Sequence, residues 1–229
     1  MSLDAWRSVP LIFVEDLEHP VLAEGDLHHY RRVRRLADDA PITISDGAGG
    51  WRPARFGPTP KVDGPITVEA ASPQPSTVGF TPVKGERPEL VVQKLTELGV
   101  DVILPLQSAR SVVRWDGARA AKQVAKWHVI AREASMQSRR VRIPTVLPVT
   151  PLADVLNGAA SVAALGEPVF AEPGGQPLNS ATDRFVLVGP EGGWAPEELQ
   201  GQELRSLPGG VLRAETAAIA AAVLLAIRG

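Results

Sequence analysis

The chain has 229 residues, 44% of them hydrophobic and 22% charged, and its formal net charge is −2. That is enough apolar material for one large domain or two small ones, and it excludes a disordered or fibrous chain. With no cysteine, disulfides and cysteine-ligated metals are excluded, and a cytoplasmic location is expected.

The opening MSLDAWRSVPLIFVEDLEHP lacks a basic region followed by a long apolar run, so a signal peptide is not expected. Val9 to Val14 is a short apolar strand candidate. Gly25 to Ala37 reads as a helix and carries Arg31, Arg32, Arg34 and Arg35. Pro41 to Ser45 alternates and ends in the turn pair Asp46-Gly47; Trp51 to Phe56 and Ile66 to Ala70 continue the pattern. Several short strands bounded by turns predict a small barrel. The stretch ASPQPS at 71–76 reads as a linker, giving expected domains of 1–72 and 73–229.

Beyond the linker the rhythm changes. Thr77 to Val83 predicts a strand. Glu86 to Leu98 predicts a helix with Val91, Leu95 and Leu98 on one face and Gly99 as its cap. Val100 to Leu106 predicts a buried strand, and Gly117 to Arg139 a long helix with Ala120, Val124, Trp127, Ala131 and Ala134 at helical spacing. Ser161 to Leu165 and Phe185 to Val188 read as short strands, and Glu197 to Leu204 and Ala214 to Arg228 as helices. Alternating strands and helices argue for an α/β fold with a parallel sheet covered on both faces. The longest apolar run, Ala217 to Ile227, has eleven residues. As a helix it is about 16 Å long, roughly half a bilayer core, so it reads as a buried helix and no membrane partner is expected.

In an open parallel sheet, ligands bind beyond the carboxyl ends of the strands. Three segments are expected there: Leu165-Gly166-Glu167-Pro168, Val188 to Trp194 (VGPEGGW), and Val211 to Thr216 (VLRAET). Glycines let the backbone approach a ligand with free N–H groups, although an ordinary turn is the plain alternative for GPEGG. The sequence has no GxxxxGK[ST], no GxGxxG after a strand, no GxSxG and no HExxH. His19, His28, His29 and His128 show no ligand spacing, so no metal is expected. The net charge argues weakly against nucleic acid, but Arg31, Arg32, Arg34 and Arg35 form one local basic run, and Arg139, Arg140 and Arg142 another. Each run alone reads as a solvated face; two of them favour a phosphate-binding surface.

Four segments, KGERPELVVQKLTELGV (84–100), REASMQSRR (132–140), LVGPEGG (187–193) and LRAETAAIAA (212–221), fall in the order and spacing of the RsmE family. HHYRRVRRL (28–36) resembles the family's His-rich N-terminal segment more loosely. Met136 and Trp194 stand where family members often carry Glu and Phe, and a Gly-Asp turn usual near Asp39-Ala40 is absent. The RsmE family are 16S ribosomal RNA uridine N3-methyltransferases. The resemblance implies a SPOUT-type α/β domain with a deep trefoil knot, preceded by a small PUA-like β-barrel, in a homodimer that uses S-adenosylmethionine. The acceptor it implies is 16S rRNA within the 30S subunit.

On that resemblance the cofactor pocket is expected from Leu165, Gly166, Val188, Gly189, Pro190, Glu191, Gly192, Gly193, Val211, Leu212, Thr216 and Ala217. Arg213, Arg140 and Glu215 are the expected catalytic residues. Arginine near the pyrimidine oxygens would stabilise a uracil anion. Glu215 has three readings: it orients Arg213, accepts the N3 proton, or caps the helix that follows. Arg31, Arg32, Arg34, Arg35, Lys84, Arg87 and Arg139 are expected on RNA. Three rivals remain: a SPOUT enzyme acting on transfer RNA or another ribosomal base, a non-catalytic assembly factor, and a small-molecule enzyme.

Overall fold

The structure, a computed structural model, describes residues 5–85 and 87–227. Arg228 and Glu86, which the sequence reading places in helices, lie outside the described residues. The chain divides into two compact units. The first comprises Met1–Ser72 with Arg132–Ile143, and the second Pro73–Ala131 with Pro144–Gly229. Residues 132–143 therefore leave the stretch that the sequence reading assigns to the second domain.

The first unit is built on strands β1 (Leu11–Phe13), β2 (Pro41–Ser45), β3 (Gly50–Arg55), β4 (Lys61–Val62) and β5 (Thr67–Val68). They form one sheet in the order β1-β2-β3-β4, with β5 also paired to β3; β1 and β2 are parallel and the other pairs antiparallel. Strand alternation places side chains on opposite faces. Ile12, Ile42 and Ile44 join Val14, Tyr30 and Phe56 on one face. Leu11 and Phe13 join Trp6, Trp51, Met136 and Val141 on the other. Thr43 and Ser45 also lie off the first face, and their hydroxyls donate to the carbonyls of Trp6 (3.1 Å) and Val141 (2.9 Å). The expected helix over Gly25 to Ala37 is shorter than predicted. Helix α1 (Glu24–His28) runs directly into a π-turn over His29–Val33, and regular structure ends there.

The second unit contains, in chain order, β6 (Thr77–Phe80), helix α2 (Arg87–Glu97), β7 (Val102–Gln107), helix α3 (Gly117–Ser138), β8 (Thr145–Val146), β9 (Thr150–Pro151), helix α4 (Leu152–Leu156), β10 (Val169–Pro177), β11 (Phe185–Val188), helix α5 (Pro196–Leu199), β12 (Leu204–Ser206) and helix α6 (Ala214–Ala226). The last seven residues of α3 belong to the first unit. The sheet order is β12-β10-β11-β6-β7-β8, with β9 also on β7, and every pair is parallel. This matches the parallel α/β expectation. FVLV in β11 is buried at every position, as a strand covered on both faces requires. Phe170, Phe185, Leu187, Leu104 and Trp194 form one core cluster. Gly79 in β6 permits close packing, since a β-carbon there would lie 2.5 Å from Leu187 Cδ2. No helix among the described residues is long and apolar enough to cross a membrane.

Three element predictions are corrected. Ser161 to Leu165 is not a strand: Ala163–Leu165 is a single 3-10 turn, and the strand is β10, which follows it. The helix expected over Glu197 to Leu204 is one turn, α5. Gly201, with φ of 77°, ends that turn, and the chain enters β12. No strand ends at Val211, because β12 closes at Ser206 and an irregular segment leads from it to α6.

Candidate active site

Register fixes which loops share an edge of the parallel sheet. Ala171 in β10 pairs with Val188 in β11, Val188 with Phe80 in β6, and Phe80 with Pro105 in β7. The segments that follow β11, β6 and β7 therefore leave the sheet at a common carboxyl edge, Gly189–Ala195, Thr81–Gly85 and Ser108–Arg114, and the irregular stretch Glu172–Gly175 inside β10 begins at the same level. Leu165 and Gly166 lie elsewhere. They precede Val169, which pairs with Val186 near the amino end of the sheet. The stretch that takes the expected position is the irregular middle of β10, Ala171-Glu172-Pro173-Gly174. It was hidden because Pro173, Gly174 and Gly175 break the strand pattern, and the ladder with β12 indeed shifts register between Ala171 and Gln176.

The GPEGG loop is shaped by three local constraints. The Gly193 N–H donates to the Pro190 carbonyl (2.8 Å), closing a turn. Gly193 has φ of 69°, a value that favours glycine. A β-carbon on Gly189 would come within 2.9 Å of the Trp194 indole. Trp194 is buried, packs edge-on against Phe170 (4.9 Å), and donates its indole N–H to the Ala171 carbonyl (3.3 Å). The tryptophan thus ties the GPEGG loop to β10 at Ala171, where the register shift begins.

Two polar residues that the sequence reading missed also hold this loop. Glu198 Oε2 accepts from the Ala195 N–H (2.8 Å) and Oε1 from the Ala109 N–H (2.7 Å), joining the loop after β11 to the loop after β7. Arg110 donates to the Gly192 carbonyl (3.0 Å). Glu198 carried one available signal, a glutamate three residues past a loop residue at a helix start.

Arg87 connects the second and third loops. Its Nη1 is 2.6 Å from Glu191 Oε1, and its Nε is 3.8 Å from Glu215 Oε1. Arg87 and Glu191 are about half exposed, whereas the Glu215 side chain is 13% exposed. Glu215 Oε2 is buried with no hydrogen-bond partner. A buried carboxylate oxygen without a donor is costly in a dry protein and is suited to receive an N–H or O–H from a bound molecule. Arg213 is the N-cap residue of α6 and has an exposed side chain; its carbonyl accepts from the Ala217 N–H (2.8 Å). Thr216 is exposed in the first turn, Leu212 is half-buried, and Val211 is 90% exposed.

A model of the RNA methyltransferase domain matches residues 70–226. The ribosomal RNA small subunit methyltransferase E of Mycobacterium bovis is 34% identical over 199 residues, an alignment covering 75% of this chain and 70% of that protein. The chain belongs to the ribosomal RNA small subunit methyltransferase E family. The solved family member from Neisseria gonorrhoeae, bound to S-adenosyl methionine, superposes with a TM-score of 0.76 at 29% identity, covering 94% of this chain and 96% of that one. A methyltransferase of Legionella pneumophila, solved with SAM, gives a TM-score of 0.81 at 26% identity, covering 95% and 96%.

Not all the residues carried over from the methyltransferase E family fall together. Val188 to Gly193, Arg87, Glu215 and Arg213 belong to the second unit, whereas Arg140 and Arg139 belong to the first with Arg31, Arg32, Arg34 and Arg35. Arg87, expected on RNA, is engaged with two carboxylates and remains 43% exposed. Lys84 is exposed beside Gly85. Met136 is buried, its sulfur 4.0 Å from the Tyr30 hydroxyl. Among the described residues no group of acidic and histidine side chains has the arrangement of a metal site.

Proposed function

We propose that this protein transfers a methyl group from S-adenosylmethionine to N3 of a uridine in 16S ribosomal RNA. Family membership supports the reaction class. The observation in the structure that carries the reading is the Arg87 link between Glu191 of the GPEGG loop and Glu215 of the helix that follows LRAET.

The residues present fit the cofactor. Gly189 has no room for a side chain, Gly193 needs a left-handed backbone, and Glu215 keeps an unsatisfied oxygen. Main chain of Val188–Gly193, of Ala171–Gly174 and of Leu212–Ala217 would hold it, the second of these in place of Leu165 and Gly166. When bound, S-adenosylmethionine supplies a methyl already activated on a sulfonium. The chain must then position the base and manage charge. Arg213, exposed at the head of α6, stabilises negative charge on the uracil oxygens. Glu215 accepts the proton leaving N3, while Arg87 holds its other oxygen.

The finer architecture belongs to the same proposal: a trefoil knot in the second unit, supported by the family resemblance, and a PUA-like RNA-binding barrel in the first, supported by its five short strands. A cytoplasmic homodimer acting on the 30S particle completes it. Arg31, Arg32, Arg34, Arg35, Lys84 and Arg139 supply phosphate contacts, which position RNA without reading sequence.

The test is transfer of labelled methyl to three acceptors: undermethylated 30S particles, naked 16S RNA and transfer RNA. Label in either ribosomal acceptor is the expected result. Cofactor binding without transfer to any of the three would contradict the proposal.

A further inference from the structure

Glu198 sits on α5, a helix of a single turn that Gly201 ends. One turn has little stability of its own, so its side-chain contacts decide its shape. Glu198 Oε2 reaches back to the Ala195 N–H (2.8 Å), as a capping glutamate does. A cap needs only one carboxylate oxygen. The second, Oε1, accepts from the Ala109 N–H (2.7 Å), 89 residues away in the chain.

β6 lies between β11 and β7 in the sheet. The loops that follow β11 and β7 therefore start two strand spacings apart, roughly 9–10 Å. Glu198 closes that gap from one side. Arg110 closes it from the other, where its Nη1 donates to the Gly192 carbonyl (3.0 Å). The two bonds run in opposite directions between the same two loops. The loop after β7 is held by its own contacts. The Ser108 N–H donates to Ser111 Oγ (2.8 Å), the Ser111 N–H to the Ser108 carbonyl (3.2 Å), and Arg114 Nη2 to the Ala109 carbonyl (2.9 Å). Ser108 and Ser111 are buried. Gly192 and Gly193 have no side chains with which to fix themselves. The glycine loop is restrained from outside instead, by Trp194 on the β10 side and by Glu198 and Arg110 on the β7 side.

We propose that Glu198 and Arg110 form one brace across the end of β6 that presets the GPEGG main chain for the methyl donor. The loop Ser108–Arg114 thereby becomes part of the donor site. Both are positioning residues, acting through the loop and not by touching the donor. This rests on the reading that Val188–Gly193 holds S-adenosylmethionine. A glycine loop restrained beforehand loses less freedom when the donor binds, and binding is tighter for it.

The experiment is calorimetric titration of the full-length protein with S-adenosylmethionine, beside steady-state kinetics on 30S particles and a thermal melt. The variants are Glu198→Gln, whose single carbonyl oxygen cannot replace both carboxylate oxygens, and Arg110→Ala. Glu197→Gln and Arg119→Ala are charge controls at exposed residues. Glu198→Gln and Arg110→Ala are each expected to weaken donor binding about threefold to tenfold, with KM for the donor raised, KM for RNA unmoved and Tm close to wild type. Arg110→Lys keeps a donor for the Gly192 carbonyl and is expected to recover part of the loss. A lower Tm with donor affinity unmoved would reduce Glu198 to a helix cap and overturn the proposal. Donor affinity unmoved in both variants, or lost equally in the charge controls, would also overturn it. So would a loss of affinity accompanied by loss of the near-UV spectrum, because the site would then be failing with the fold. If the wild type binds no S-adenosylmethionine, the functional reading itself fails, which is a different result from wild-type binding insensitive to these variants.

Discussion

The indole of Trp194 closes over the α-carbon of Gly189, leaving 2.9 Å between the ring and any β-carbon placed there. Gly189→Ala must therefore displace either the indole or the loop. Calorimetric titration should show binding of S-adenosylmethionine weakened at least tenfold. The far-UV spectrum should be unchanged, since neither β10 nor β11 contains the substituted residue.

Trp194 also fills the core beside Phe170. Trp194→Ala should destabilise the second unit by about 3–5 kcal/mol, read from denaturant unfolding. Trp194→Phe keeps most of the ring volume and loses the bond to the Ala171 carbonyl. It should cost about 1 kcal/mol.

Arg87→Ala removes the link between Glu191 and Glu215. Because Arg87 is 43% exposed, stability should fall by no more than about 1 kcal/mol. Methyl transfer should fall much further, with kcat reduced at least tenfold while the protein stays folded. Equal loss of stability and activity would show that the link is structural only.

How far the sequence reveals this architecture depends on how regular each segment is. β11 and β7 read correctly because FVLV and VILPL are continuous apolar runs, which a strand covered on both faces demands. β10 was invisible because Glu172-Pro173-Gly174-Gly175 interrupts it, and the structure accommodates those residues by a register shift against β12. That miss moved the first expected ligand loop from Ala171–Gly174 to Leu165-Gly166, at the wrong end of the sheet. The GPEGG and LRAET segments could be picked out as loop candidates, but their link could not. Arg87 lies 104 residues from Glu191 in the chain, and only the fold brings a partner from that distance.

Asp183 is 5% exposed and accepts from Arg205 Nε (2.7 Å) and the Asn179 N–H (2.9 Å). Asp183→Ala leaves Arg205 with only the exposed Glu203 carboxylate as an ion partner and should cost about 1–3 kcal/mol. Replacing Arg205 by Met in the same variant should recover part of that loss, measurable as a rise in the denaturation midpoint.

The Glu89 carboxyl is pushed up by burial, but Lys126 (2.9 Å), its own backbone N–H and Gln123 (2.7 Å) more than offset this, and it lies below the ordinary carboxylate range. A depressed folded-state value contributes stability that is present above the unfolded value and lost as pH falls through the folded one. Wild type should therefore lose stability below about pH 4.5, the ordinary glutamate value. Glu89→Gln should be less stable at neutral pH and show a flatter acid limb in Tm against pH.

The central claim is that the loops at the carboxyl edge present a methyl donor to a uracil ring nitrogen in ribosomal RNA. Mass-spectrometric mapping of the methylated nucleoside, after reaction with undermethylated 30S particles, tests it most directly. The account predicts a single N3-methyluridine in 16S RNA, absent when Glu215 is replaced by Gln. Methyl found on a ribose hydroxyl, on carbon 5 of the pyrimidine, or on a purine would contradict it.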